Sequence, residues 1–197
     1  MSERGRFAVV TNLRGFGPPE PGRPSRGILL TDLLAGEGRY AEPTDSDLSD
    51  FNPLNLIVLR QGEIAFWGNR PAPVRQALTP GVYGLSNGAL DEPWPKTVRL
   101  KAILQGWLGV AAAQPEDLFA GLREDILPKI AAPATAPSEI PQEPPQSPIF
   151  IRHPVYGTRC STVVAIDRDG RGVIIERRFD SEGVAVGDTA LSFTWPW

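Results

Sequence analysis

The stretch LNLIVLRQGEIAFW, residues 54–67, decides the fold class. Two apolar runs, residues 54–59 and 63–67, flank Arg60, Gln61 and Gly62. A short connection carrying glycine between two β-forming runs predicts an antiparallel hairpin. Upstream, RFAVVT (residues 6–11) is a second β-branched, apolar run and reads as a buried strand. Such a strand needs neighbours on both sides, so a further segment is expected before it. Between these strands, residues 15–22 form a Gly/Pro-rich loop. Ser25 is suited to cap a helix over residues 26–35, with Gly36 as its stop. The acidic segment 42–50 reads as a short surface helix or turn.

Downstream, residues 81–86 are expected to form another strand ending in the Asn87-Gly88 turn. The sequence PWPK (residues 93–96) then opens a helix to about residue 113. A second helix is expected from Pro115 to about Ile130, with Leu118, Leu122 and Ile126 on one face. Residues 131–148 are a proline-rich internal connection. Residues 149–151, 161–167 and 172–179 close the chain as a β-meander, with a tight turn over residues 167–170. Strands, then two helices, then strands again predict an α+β fold rather than a doubly wound parallel sheet, and residues 1–197 read as one domain.

Composition narrows the function classes. Hydrophobic residues make up 41% and charged residues 22% of the 197, as in a globular protein. The formal charge of −3 gives no electrostatic reason for a nucleic-acid partner. No apolar run approaches the length of a membrane span or signal-peptide core. With one cysteine, Cys160, no disulfide can form within the chain. A reducing, cytoplasmic setting is therefore expected. One histidine, one cysteine and scattered acids make no metal site.

Several ordered motifs then carry more information. They are GRFAVVTNLR (5–14), SRG (25–27), Asn55-Leu56 with the hairpin ending WGNR (67–70), GLSNGALDEPWPK (84–96), and IFI (149–151) followed by YGTR (156–159). Together they resemble the NRDE family, of the transport-and-Golgi-organisation type, across nearly the whole chain. The family's opening segment, a cysteine after the initiator methionine and an Asn-Arg-Asp-Glu motif, has no counterpart here. Position 160 is a cysteine where the family usually has a hydroxyl residue.

The resemblance implies a four-layer αββα sandwich like that of N-terminal-nucleophile hydrolases of the penicillin V acylase and bile-salt hydrolase kind, here truncated at its N-terminus. In those enzymes a terminal cysteine attacks an amide and its α-amine serves as base. By motif, Asn12 corresponds to an oxyanion-hole asparagine, Asn87 to an asparagine orienting substrate and amine, and Arg159 to the arginine supporting the nucleophile. Arg14, Asn69, Trp94, Lys96 and Tyr156 complete the set of candidate ligand-binding residues.

Each candidate has a structural alternative. Asn12 equally suits a turn cap, Asn87 a plain Asn-Gly turn, and Arg159 a snorkelling surface arginine. If Arg159 faces a pocket, Cys160 on the same strand faces away and is a buried small hydrophobe. His153 reads as an exposed loop histidine, and Ser2 lies too close to the 6–11 strand to be the nucleophile. Two functions are expected. One is binding or trafficking of a hydrophobic small molecule, haem or an acyl lipid, with haem as cargo and no cofactor required. The other is an amide hydrolase or acyltransferase whose cysteine lies upstream of this chain. A misplaced start, or a homo-oligomer covering the exposed strand edge, would each account for a domain beginning in mid-sheet.

Overall fold

The computed structural model describes residues 1–126, 147–153 and 156–196, which fall into two compact units. The first contains Met1–Glu92. Its elements are β1 (Arg6–Asn12), α1 (Arg26–Ala35), α2 (Asp45–Ser49), β2 (Leu54–Arg60), β3 (Glu63–Gly68) and β4 (Val74–Ala77). The four strands form one antiparallel sheet in chain order.

The expected hairpin is β2–β3. Gln61 and Gly62 take positive φ angles of 51° and 77° at its tip, the backbone sense that a tight hairpin turn requires. Helix α1 has the expected ends: Ser25 Oγ accepts from the Gly27 N–H, and Gly36 closes it in the left-handed conformation at φ 72°. Alternation along β2 explains the core. Leu54, Leu56 and Val58 face one way and pack with Leu29 and Leu33 of α1, Leu48 of α2, Tyr40, Phe51 and Trp67. Ala8, Val10 and Ala65 of the neighbouring strands join them.

Among the described residues strand β1 lies at the edge of its sheet with β2 as its strand neighbour, the exposed edge expected above, and Val9 is 43% exposed. Its continuous apolar run gives it two apolar faces. Ala8 and Val10 meet the helical core, while Phe7 and Val9 lie on the opposite face. That opposite face also carries Ile57 and Leu59 of β2 and Ile64 and Phe66 of β3 by register. Residues 81–86 form no strand. The fourth strand is β4, a fully exposed edge too polar to announce itself. Its Arg75 lies 4.2 Å above the Trp67 ring and pairs with Asp45 at 2.8 Å.

The second unit carries α3 (Pro95–Leu108), a 3₁₀ turn (Pro115–Asp117), α4 (Leu118–Leu122), β5 (Cys160–Ile166), β6 (Arg171–Phe179) and β7 (Ala185–Thr194). Its sheet is antiparallel in the order β5-β6-β7. Helix α3 stops at Gly109, five residues shorter than expected once Gly106 and Gly109 have weakened its last turn. Helix α4 ends at Leu122, so Ile126 does not share its buried face and is 81% exposed. The expected continuation beyond residue 126 lies outside the described residues, as does the proline-rich connection apart from Ser147 and Pro148.

Phe119 of α4 packs with Val163 and Ile175, and Leu118, Leu122 and Val173 support them. Residues 149–151 are not a strand. They are an irregular tether: Phe150 donates its N–H to the Glu124 carbonyl at 2.9 Å, and its fully buried ring meets Phe179 edge-on at 4.7 Å. The third strand of the meander is β7, whose alternation is blunted by its position at an edge, where side chains on both faces are exposed. The 167–170 turn forms as expected, with Asp167 Oδ1 accepting from the Asp169 and Arg171 N–H groups. The description is thus α+β, with antiparallel sheets and helices. No helix among the described residues is long and apolar enough to cross a membrane.

Candidate functional site

Three of the predicted residues converge where β1 ends. Here the Ser86–Asn87–Gly88 segment is laced to the sheet by four hydrogen bonds. Thr11 Oγ1 donates to the Ser86 carbonyl at 2.9 Å, and the Arg14 N–H donates to the Asn87 carbonyl at 2.8 Å. Asn87 Nδ2 donates to the Asn12 carbonyl at 2.9 Å, and Asn55 Nδ2 donates to the Gly88 carbonyl at 2.7 Å. Thr11 and Asn55 are cross-strand partners, so they share the sheet face opposite the helical core. The segment therefore closes one end of the apolar face formed by Phe7, Val9, Ile57, Leu59 and Phe66.

This lacing shows what the Asn87 side chain contacts. That side chain does a turn's work, but through a long-range bond that fixes it beside Asn12. Asn12 is exposed at the strand end, and its carboxamide makes no hydrogen bond among the described residues. A carboxamide in that state offers two N–H donors and one acceptor to a carbonyl, carboxylate or amide. Thr11 and Asn55 are positioning residues that the sequence reading passed over. Asn55 carried a signal: it is an asparagine inside an otherwise apolar strand, and at 2% exposure it must have a partner.

The remaining candidates lie elsewhere. Asn69 is fully buried and serves as a structural clamp rather than a ligand group. Its Oδ1 accepts from the Leu54 N–H at 2.9 Å, and its Nδ2 donates to the carbonyls of Leu48 at 2.9 Å and Phe51 at 3.1 Å. Buried, and with both of its N–H donors directed at backbone carbonyls, it presents no free donor to a ligand. In the second unit, Trp94 is the N-cap of α3. It is 4% exposed, and its indole N–H has no partner among the described residues. Lys96 Nζ lies 5.4 Å from the Trp94 ring centroid and donates to Ser147 Oγ at 3.0 Å. Tyr156 is 49% exposed and donates its backbone N–H to His153 Nδ1 at 3.3 Å. Arg159 braces the β6–β7 turn, donating to the Asp180 carbonyl at 3.0 Å, and is exposed. Within its own unit, Arg159 is the surface alternative.

Cys160 is exposed rather than buried. It lies on the same face of the sheet as Glu176, diagonal to it in the register. Partial desolvation, and then the negative charge of Glu176, push its thiol above the ordinary cysteine value. The thiolate is the nucleophilic form, so this environment disfavours attack.

These features fall on a recognisable family pattern. Residues 1–181 match the model of the family described as Transport and Golgi organisation 2. The chain belongs to that family. Among its relatives is the human "Transport and Golgi organization protein 2 homolog", 30% identical over 193 residues, covering 90% of this chain and 70% of the human one. The Bos taurus homolog is 31% identical over 195 residues with the same coverage, and the mouse "Transport and Golgi organization 2 homolog" is 29% identical over 195. The family match spans both the Asn12–Asn87 junction and the second unit's Trp94, Lys96 and Arg159.

Proposed function

We propose that this protein binds and carries a hydrophobic small molecule of the haem or acyl-lipid class. Its first sheet holds the apolar part, and the Asn12–Asn87 junction the polar end. The observation that carries this reading is the Asn12 carboxamide, exposed and without a hydrogen bond among the described residues, beside Asn87 at one end of a sheet face whose Val9, Ile64 and Val74 are 43%, 44% and 42% exposed. Apolar walls with a few oriented polar groups are the usual make-up of a small-molecule site. A carrier role also suits the word "transport" in the relatives' printed names.

In this reading each unit, described by itself, supplies one antiparallel sheet with helical segments, the kind of parts found in folds of the N-terminal-nucleophile-hydrolase type. Hydrolysis is the weaker reading for the residues in hand. The one thiol in the chain, Cys160, is held toward its protonated form and braced within the second unit's sheet.

The test is a pair of titrations of the full chain, with haemin followed by its Soret band and with a long-chain fatty acid followed by tryptophan fluorescence. Saturable binding of one ligand is expected, weakened about tenfold by Asn12→Ala through loss of a hydrogen bond to a charged or polar head. No saturable binding of either ligand by the unaltered protein would refute the carrier reading.

A further inference from the structure

We propose that the first unit holds a second site, separate from the Asn12–Asn87 junction, which binds a phosphate-type oxyanion between the start of β1 and the tip of the β2–β3 hairpin. A recess of about 310 Å³ is lined there by Arg4, Arg6, Arg60, Glu42 and Gln61. Arg6 and Arg60 are direct cross-strand partners. Like charges in that relation destabilise a sheet unless something sits between them. What sits between them is one carboxylate: Glu42 is 3.7 Å from Arg6 and in close contact with Arg60.

Part of this cluster has a structural explanation. Arg4 Nη1 donates to the Ala35 carbonyl and Arg6 Nη1 to the Leu33 carbonyl, each at 3.0 Å, so both cap the negative C-terminal end of α1. Gly36 makes room for this, since a Cβ there would lie 3.0 Å from the Arg6 guanidinium carbon. Capping does not explain Arg60, whose guanidinium lies 5.5 Å from the Trp67 ring centroid and which is paired across the strands with another cation, Arg6. Nor does it balance the charge. Three guanidiniums meet two carboxylates, Glu42 and Glu37, the latter 3.5 Å from Arg4. Each guanidinium also carries more N–H donors than these bonds use.

Glu42 thus stands where a ligand anion would stand. Its side chain is 62% exposed, so it can withdraw into solvent when a better anion arrives. A ligand carboxylate would only repeat what Glu42 already supplies. A phosphate brings more charge and more acceptor oxygens, and fits the forked donors of several arginines at once.

The experiment titrates inorganic phosphate into the full chain at constant ionic strength, with chloride as control, by calorimetry. The unaltered protein should bind phosphate saturably. Glu42→Gln should bind about fivefold more tightly, because the competing charge is gone. Arg60→Gln should bind about tenfold more weakly. A gain of affinity cannot come from misfolding, so Glu42→Gln keeps the test decisive even if Arg60→Gln is unstable. No saturable phosphate binding, or an unchanged or weaker Glu42→Gln, overturns the proposal. Vesicles of phosphatidylcholine with and without phosphatidic acid identify the source. Cosedimentation that needs phosphatidic acid and is lost in Arg60→Gln supports a lipid head group, and phosphate binding without cosedimentation supports a soluble phosphate ester.

Discussion

Replacing Asn69 by alanine tests whether this residue is a clamp or a ligand group. The side chain is fully buried and bonded at both ends. Removing it does not orphan every partner equally. The Leu48 carbonyl keeps the Phe51 N–H at 3.3 Å, and the Phe51 carbonyl keeps Arg70 Nη2 at 3.4 Å. The Leu54 N–H, at the first residue of β2, depends on Asn69 Oδ1. An orphaned buried donor costs about 1–3 kcal/mol, and two weakened carbonyls add about 0.5–1 kcal/mol each. The expected loss is therefore about 2–5 kcal/mol, a large share of the roughly 5–15 kcal/mol that holds a domain together.

Urea denaturation followed by circular dichroism reads the loss, and hydrogen exchange at the Leu54 amide reads its local origin. Asn69→Asp is sharper still. At neutral pH it sets a carboxylate oxygen against the Leu48 and Phe51 carbonyls in place of a donor, so it should be worse than alanine. Acid, which restores a donor by protonation, should narrow the gap between Asp and Ala. A loss below about 1 kcal/mol for Asn69→Ala, with Leu54 protection unchanged, would refute the clamp reasoning.

Two further changes probe the second unit. A Cβ on Gly172 would lie 2.2 Å from Phe193, its cross-strand partner. Gly172→Ala should therefore cost about 1–3 kcal/mol in a thermal melt. Most of that cost should vanish in a Phe193→Ala background, and equal costs in both backgrounds would reject the clash. Glu124 accepts two bonds from Arg99, at 2.8 and 2.5 Å, and this pairing holds its carboxyl below the ordinary value against the opposing effect of burial. A depressed carboxylate contributes stability above its unfolded value, near 4.3, and loses that contribution as pH falls through the folded value. Asp47, Asp167 and Asp188 are depressed in the same sense. The Glu124 share is therefore read as the difference between the unaltered protein and Glu124→Gln. That difference should be modest at pH 7, under about 1 kcal/mol, and should shrink toward zero below pH 4. A difference independent of pH would show that the pair contributes nothing.

The residues by themselves determined those features set by local rules. Ser25 and Gly36 bound α1 because a cap and a left-handed stop act within one turn of the chain. Gln61-Gly62 turns the hairpin because its tip needs positive φ, and the period-2 pattern of β2 names its core face. The ordered motifs gave the family. Tertiary structure decided what depends on partners distant in sequence. RFAVVT could not say which strand it pairs with or which of its two apolar faces meets the helices, since both faces read alike in sequence. β4 and β7 were illegible because edge strands bury too little to alternate cleanly.

Among the asparagines, the same side chain meets three fates. Asn69 is consumed as a clamp, Asn87 is tied to the Asn12 carbonyl, and the exposed Asn12 carboxamide makes no hydrogen bond among the described residues. An amide's chemistry is fixed by its composition, but whether its donors are committed or available depends on which carbonyls the fold brings within about 3 Å.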